Sequence, residues 1–337
     1  MEIRFGTGAA SRDFDELVKI CQVAEECGYD FLTMPDTQSV HPEMYVNLTL
    51  AALNTKRVRL GPAVTNPVTR HPAVTASAIA AIDTLSNGRA YLGIATGDSA
   101  VHNLAERPAR LKDLREYILA VRGLLRDGQA VYRDKTIKLE WTRRNIPIYM
   151  AAEGPKALEL AGEICDGVII GTGLTPEVIE DSLAHVRAGT SRAGRKPDEV
   201  DVWWQVKCNV AEDGEAAIYD MRMTLAASAS HCFRMSIGEK GIPPQYVEPV
   251  RQLLGRYNYA EHELPGADRD NARLVDELGL RDYLADRFAV AGTPAQAIAK
   301  LEGLIKCGAT QFKLATHGSD RRAIIRYFAN NVMAHFR

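Results

Sequence analysis

The sequence predicts an α/β protein with the fold of a (β/α)8 TIM barrel that carries an inserted helical lid segment. Three observations lead to this fold class. Eight short apolar runs alternate with eight longer amphipathic patterns, helix-start signals precede several of those patterns, and two segments interrupt the alternation. Eight strands alternating with eight helices match a closed barrel better than an open, doubly wound sheet.

The eight apolar runs are the predicted barrel strands. They cover residues 3–8, 30–34, 58–64, 90–96, 147–152, 167–172, 200–210 and 310–316. The first helical pattern follows Asp13-x-x-Glu16, a capping-box sequence, and spaces its apolar residues by three and four. Further helical patterns lie near residues 42–54, 72–85, 110–126, 155–163, 176–192, 212–227 and 294–307.

Two later helix starts are marked by a hydroxyl residue before proline. Thr175-Pro176 and Thr293-Pro294 each place an N-cap hydroxyl before proline at the first helical position. Gln296 stands three residues after Thr293 and completes a predicted capping box.

Two segments break the alternation of strands and helices. Residues 127–141 contain Asp127-Gly128 and two short β-like runs, which predict a hairpin excursion. Residues 228–286 are polar, compatible with helix and too long for a bare barrel loop, so we predict an inserted lid there. Residues 1–337 are then one barrel domain with these two additions.

Composition excludes several classes of function. The 337 residues are 46% hydrophobic and 25% charged, as in an ordinary soluble globular protein. A net charge of −2 argues against general binding to nucleic acid or to a membrane surface. The N-terminus lacks signal-peptide regions, and six cysteines without CxxC pairs are typical of reduced thiols. We therefore expect a cytoplasmic protein.

The candidate site residues follow the predicted strands, because the active site of this fold lies at the carboxyl ends of its strands. They include Gly8, Asp36, Ala63, Val64, Thr65, Asn66, Thr96, Gly97, Asp98, Ala152, Glu153, Gly154, Pro155 and Lys156. Small residues dominate, so a flat or extended ligand can approach the backbone closely. Gly154-Pro155 opens a helix whose free N–H groups suit a phosphate or carboxylate, and Lys156 adds a positive charge. The alternative is an ordinary helix start.

Other chemistries find no support in the sequence. The HExxH, CxxC, GxSxG and phosphate-loop patterns are missing, so we expect neither a metal site nor a nucleophile–histidine pair. Several candidate residues also have simpler interpretations. His71 and Asp36 can cap the helices that follow them, and Asp98 can be a surface carboxylate.

Long motifs in this chain resemble the luciferase-like superfamily of flavin- and deazaflavin-dependent oxidoreductases. The most specific is RVRLGPAVTNPVTRHPAVTASAIAAIDTLSNGRAYLGIATGDSA, which spans the third predicted strand and its exit. IPIYMAAEGPKALELAGEICDGVII and FAVAGTPAQAIAKLEGLIKCGATQFKL are similar to later units of that family. The likeness is greatest to methylenetetrahydromethanopterin reductase-like proteins, and GIPPQYVEPVRQLLG resembles their insertion.

The resemblance implies a cofactor and roles for the candidate residues. It implies a non-prolyl cis peptide at Ala63–Val64, in a bulge that presses against the central ring of coenzyme F420. Thr65 and Asn66 would meet the ring or its ribityl chain, and residues 152–154 would cradle the phosphate end. Asp36 and Asp98 would line the ring edge, and either one is the expected proton donor.

Two departures from those reductases place the pterin substrate in doubt. The first strand ends at Gly8 without their glutamate, and the second is followed by Asp36-Thr37-Gln38 without a histidine. We expect hydride transfer between coenzyme F420 and a small organic substrate. The alternatives are an FMN-dependent monooxygenase that uses reduced flavin and O2, and a non-catalytic flavin-binding protein. Small residues on the second and third helices predict a homodimer.

Overall fold

The computed structural model describes residues 2–234, 237, 238, 240–261, 269–316 and 320–337. Its strands are β1 (Arg4–Gly8), β2 (Phe31–Met34), β3 (Arg59–Pro62), β4 (Leu92–Ile94), β5 (Gln129–Tyr132), β6 (Lys135–Lys138), β7 (Ile148–Ala152), β8 (Gly167–Ile170), β9 (Asp201–Val210), β10 (Ala289–Gly292) and β11 (Gln311–Thr316). Its helices are α1 (Phe14–Glu26), α2 (Met44–Asn54), α3 (Pro72–Leu85), α4 (Ser99–His102), α5 (Leu111–Asp127), α6 (Pro155–Ile164), α7 (Pro176–Arg192), α8 (Gly214–Asp220), α9 (Arg222–Phe233), α10 (Pro244–Arg256), α11 (Asp270–Glu277), α12 (Arg281–Phe288), α13 (Pro294–Lys306) and α14 (Arg321–Asn331). Short 3-10 helices cover Pro197–Glu199, Tyr259–Glu261 and Met333–Phe336.

The fold is the predicted (β/α)8 barrel. Eight strands of the nine-stranded main sheet follow one another by hydrogen bonding, and β10 pairs with β9 beside that path. All eight predicted strands are present, and most begin or end within two residues of the predicted bounds. Because parallel strands need long crossover connections, the helices between them follow from the strand order.

The chain forms two compact units. The amino-terminal unit comprises Arg4–Ile169 and Ala184–Trp203, and the carboxyl-terminal unit comprises Met1–Ile3, Ile170–Leu183 and Trp204–Arg337. In the amino-terminal unit, β1, β2 and β3 are parallel neighbours, β4 and β7 are parallel neighbours, and β8 is hydrogen-bonded to β7. Isolated bridges from Leu60 to Ala90 and from Thr65 to Ile94 connect β3 with β4 and its flanks. This unit therefore contributes six consecutive barrel strands.

In the carboxyl-terminal unit, β9 pairs in parallel with both β10 and β11. Along β9, Trp204, Val206 and Cys208 are buried on one face, as expected for the face that packs against helices. The alternate residues Gln205 and Lys207 lie on the opposite face of the strand. The sheet therefore places polar side chains on the barrel-interior face of this unit.

An aromatic cluster fills the interior face of the amino-terminal unit. Phe31, Tyr91, Tyr149, Ile169 and Trp203 form this cluster, and all five are less than 10% exposed. The Phe31 and Trp203 ring centroids are only 4.1 Å apart. Trp203 is thus part of the core.

The excursion of residues 127–141 contains an antiparallel hairpin of β5 and β6. Gly128 ends α5 in the left-handed conformation, with φ of 77°, which a glycine adopts without steric cost. Arg133 and Asp134 form the turn, both with positive φ.

Where it is described, the segment 228–286 contains the end of α9 and the helices α10, α11 and α12, joined by short non-helical stretches, and it forms an apolar cluster within its own unit. Leu225, Phe233, Val250, Leu253 and Val275 from α9, α10 and α11 belong to this cluster, together with residues of α12. Residues 235, 236, 239 and 262–268 of the segment lie outside the described residues. The role of this segment as a lid stays a prediction.

Some elements differ from the predictions. The helix expected over 212–227 is broken at Met221 into α8 and α9. Strand β10 and helices α4 and α14 were not predicted. By contrast, Thr293 and Gln296 form the predicted capping box, and His71 caps α3 by accepting a hydrogen bond from Ala73 N at 3.2 Å.

Two charged side chains fix the loops at the amino ends of β3 and β4. The Glu25 carboxylate accepts backbone N–H bonds from Lys56, Arg57 and Val58, at 2.7–3.0 Å. These bonds lower the pKa of Glu25 against the opposing effect of burial, which is the largest single influence. Arg89 donates to carbonyl groups of Ala52, Thr55, Val58 and Ser86. The loops are thereby held by long-range hydrogen bonds.

All six cysteines lie within the described residues, and none of them forms a disulfide there. Among the described residues, no helix is both long enough and apolar enough to cross a membrane, and no three acidic, histidine or cysteine side chains gather as a metal site.

Candidate active site

The candidate residues lie at the carboxyl ends of five strands of the amino-terminal unit. Gly8 and Ala152 are the last residues of β1 and β7, and the others follow β2, β3, β4 or β7 by a few residues. Because β1, β2, β3, β4 and β7 run in parallel, their carboxyl ends lie at the same end of the barrel. The structure therefore places at one end of the strands the candidate residues that the sequence assigned to separate strands.

Asp36, which follows β2, is bound to two donors from the exit of β3. Its Oδ2 atom accepts a hydrogen bond from Thr65 Oγ1 at 2.6 Å and one from Arg70 Nη1 at 2.5 Å. The Asp36 side chain is 5% exposed and that of Arg70 is 18% exposed. Both donors bind the same carboxylate oxygen of a buried side chain, so this geometry suits an anchoring residue.

Arg70 is itself held from two further sides. Its Nη2 atom contacts Glu43 Oε1 at 2.6 Å, and its guanidinium carbon lies 5.3 Å from the centre of the Tyr45 ring. Desolvation tends to lower the pKa of Arg70, but hydrogen bonding and attraction to Asp36 and Glu43 raise it. Tyr117 donates to the Arg70 carbonyl oxygen at 3.1 Å. Arg70 is consequently a fixed cation of this site.

The exit of β3 lies over the aromatic cluster. The Ala63–Val64 peptide is cis, as the resemblance implied, and both side chains pack against that cluster. The chain then rejoins the sheet, because Thr65 N donates to Gly93 O and Ala95 N donates to Thr65 O, each at 3.0 Å. The bulge is thus bounded by pairing on both sides.

Asn66 presents a buried donor at the end of this bulge. Its Oδ1 accepts backbone hydrogen bonds from Val68 N at 3.0 Å and Thr69 N at 2.9 Å, which fixes the orientation of the amide. Asn66 is 1% exposed, and its Nδ2 finds no acceptor among the described residues. An unpartnered buried donor costs about 1–3 kcal/mol, so an acceptor from a ligand would fit here.

Gly97 and Asp98 form the exit of β4. Gly97 has φ of +106°, and a Cβ on it would lie 2.4 Å from a Val101 methyl group, so this position requires glycine. Asp98 Oδ1 lies 3.6 Å from Nε2 of His102, one turn along α4. The Thr37 and Ser99 hydroxyl groups are hydrogen-bonded at 3.1 Å, which connects this exit with that of β2.

The exit of β7 is an uncapped helix start. Gly154 is the N-cap of α6 and Pro155 its first residue, and no side chain caps the first turn. A Cβ placed on Gly154 would meet nothing within 4 Å, so there is open space beside these N–H groups. Lys156 is exposed and Glu153 half-buried. This arrangement can receive an anionic group.

Sequence reasoning missed four residues that the structure adds to the site: Arg70, Glu43, Tyr45 and His102. Tyr45 lies over Arg70, its hydroxyl has no partner among the described residues, and burial raises its pKa. Arg70 stands within the most specific motif of the chain, which was the one available signal. Its contact with Asp36 spans 34 positions and is invisible to local patterns.

Comparisons with known proteins show which family the chain resembles. A family model described as luciferase-like monooxygenase matches residues 2–311. The 5,10-methylenetetrahydromethanopterin reductase of Methanolobus tindarius is 32% identical, over 88% of this chain and 90% of the relative. The F420-dependent glucose-6-phosphate dehydrogenase of Nakamurella multipartita is 28% identical, over 99% of this chain and 97% of the relative.

A solved structure is similar over the full length of both chains. It is the coenzyme F420-dependent tetrahydromethanopterin reductase of Methanopyrus kandleri, with a TM-score of 0.83 and 26% identity. The relatives are oxidoreductases by name, and the predicted enzyme class is confirmed. The chain belongs to the luciferase-like monooxygenase family.

Proposed function

We propose that this protein is a coenzyme F420-dependent oxidoreductase that transfers hydride to or from a small organic molecule. The observation that carries the proposal is the buried, unpartnered Nδ2 of Asn66 beside the Ala63–Val64 bulge. The named dependence of its relatives on F420 supports the same cofactor. When bound, this cofactor supplies a ring that accepts or donates a hydride.

The residues present fit such a group in three places. Ala63 and Val64 would form the wall behind the ring, and Thr65 and Asn66 would meet its polar edge. Gly8, Thr96 and Gly97 leave room for close approach of the ring and its chain. The open helix start at residues 152–156 would hold the phosphate end through free N–H groups, with Lys156 adding charge.

We assign proton transfer to Asp98 and an anchoring role to Asp36. Asp36 is tied to Arg70 and Thr65, and it holds the bulge that carries Asn66. Asp98 is about one-third exposed and adjoins His102, so it can exchange a proton with substrate or water. Asp98→Asn should therefore lower kcat at least about 100-fold with a substrate found by screening alcohols, imines and pterins. An unchanged kcat would refute this assignment.

The oligomer we propose is a homodimer that forms through α2 and α3. Val46 and Leu53 of α2 and Val74 and Leu85 of α3 are each at least 43% exposed. Apolar side chains that water would otherwise surround are typical of a subunit contact.

The function is tested by titrating the purified protein with coenzyme F420 and with FMN, each oxidised and reduced, and following fluorescence quenching. We expect binding of F420 in preference to FMN. Preference for reduced FMN, with a transient species on adding O2, would favour the monooxygenase instead. Binding of neither would overturn the cofactor assignment.

Asn66→Asp provides a matched test of the site. It keeps an oxygen for the Val68 and Thr69 amides but removes the Nδ2 donor. F420 affinity should fall about tenfold or more. Asn54→Asp, at an exposed helix end, should leave affinity unchanged. Equal affinities of the two variants would contradict the proposed role of Asn66.

A further inference from the structure

Two lysines face the same side of the sheet in the carboxyl-terminal unit. Lys313 of β11 is the register partner of Gln205 of β9, and its Nζ donates to Gln205 Oε1 at 2.6 Å. Lys207 stands two residues after Gln205, and its register partners are Ala315 on β11 and Ala289 on β10. Its register neighbours on both sides are therefore small and uncharged.

The surroundings of Lys313 disfavour its positive charge. Burial, and then the like charge of Lys207, lower the pKa of Lys313 to about 7. The nearest partner side chain, Gln205, is neutral, and so are the same-face residues of β11 on either side, Gln311 and Ala315. Among the described residues, no carboxylate lies within ion-pair distance of Lys313. The ammonium group thus has a hydrogen-bond acceptor without a counter-charge.

We propose that Lys207 and Lys313 form a binding site for an oxyanion, the phosphate or carboxylate group of a small-molecule ligand. Two ammonium groups on the same face of the sheet, one from β9 and one from β11, provide donors and charge, and Gln205 fixes the position of Lys313. A bound oxyanion would supply the counter-charge that the described surroundings of Lys313 lack. The inference stands apart from the cofactor assignment, because it rests on β9, β10 and β11 alone.

The site has a thermodynamic signature that an ordinary surface cluster lacks. Above about pH 7 the free Lys313 is mostly neutral, whereas the bound anion favours its ammonium form. Anion binding at pH 8.5 therefore takes up more protons, up to one per site, than binding near pH 6, where Lys313 is already mostly protonated. Affinity falls about tenfold for each pH unit above 7 until the pKa of the complex is reached.

The test is isothermal titration calorimetry of the whole protein at low salt with sulfate and, separately, with acetate. Neither anion titrates in this pH range, so any proton uptake belongs to the protein. Measuring in buffers of different ionisation enthalpy yields the number of protons. Stronger binding of sulfate would identify the phosphate-type ligand, and stronger binding of acetate would identify the carboxylate.

Lys313→Met and Lys207→Met should each weaken binding at least about tenfold, and Lys313→Met should also abolish proton uptake. Lys306→Met is the matched control, because it removes an exposed charge from the last turn of α13 in the same unit. Thermal unfolding verifies that each variant is folded. The proposal is overturned if neither anion binds, if binding survives both substitutions, or if it proceeds without proton uptake.

Discussion

Removing the guanidinium group of Arg70 should destabilise the protein far more than removing the charge of Glu43, the exposed partner of Arg70. In Arg70→Met, the Asp36 carboxylate keeps the Thr65 hydroxyl but loses its cation, at a position where its side chain is 5% exposed. Breaking a buried pair by deleting one member costs about 3–5 kcal/mol. Glu43 is 46% exposed, so its share is about 0–1 kcal/mol. We expect a loss of about 3–5 kcal/mol in the free energy of unfolding.

Urea unfolding followed by far-ultraviolet circular dichroism measures this loss. Glu43→Gln is the control and should cost less than about 1 kcal/mol. The double variant Asp36→Asn with Arg70→Met should cost less than the sum of the two single changes, because it leaves no unpaired charge. If Arg70→Met costs no more than Glu43→Gln, the buried ion pair does not stabilise this site and the reasoning fails.

Three further outcomes are expected. Gly61→Ala should lower the free energy of unfolding by about 3 kcal/mol in urea, because the new Cβ would lie 2.2 Å from the Tyr91 carbonyl oxygen. In the control Gly303→Ala, in α13, the new Cβ meets nothing within 4 Å, so this change should stabilise the protein by about 0.5–1 kcal/mol. Equal effects would contradict this. The pKa of Lys313 is lower in the folded state, so the unfolded chain binds more protons between about pH 7 and 10.5. The free energy of unfolding should therefore rise with pH over that range, by up to about 1.4 kcal/mol per pH unit. Urea unfolding of Lys313→Met should show a flatter dependence of stability on pH. A pH dependence identical to that of the wild type would refute this prediction. Leu53→Lys with Val74→Lys should convert the proposed homodimer to a monomer in light scattering after size exclusion, and a monomeric wild type would refute the dimer.

The strands could be predicted because each is an apolar run with a clear end. The run 58–64 nevertheless pairs regularly only over Arg59–Pro62, since the chain leaves the sheet at the cis peptide. Strand β10 escaped prediction because its four small residues follow α12 without a glycine or proline between them. The break between α8 and α9 at Met221 likewise has no such marker.

The candidate site was predictable strand by strand but not as a network. A carboxylate after β2 has the same local pattern whether it caps a helix, donates a proton or binds a distant arginine. Only the folded chain joins Asp36 to Arg70. The alternation of β11 likewise predicts the face of Lys313, but its approach to Lys207 depends on a register between strands about 100 positions apart.

The hydrogen bonds of Glu25 and Arg89 bear on how this family diversifies. They secure the loops at the amino ends of β3 and β4, whereas the candidate ligand groups follow the carboxyl ends of the same strands. The contacts that hold the strands in place are therefore largely separate from the residues that would bind a ligand. Loops on the ligand side can change length and composition with little loss of foldability, so new substrate preferences are accessible by few mutations.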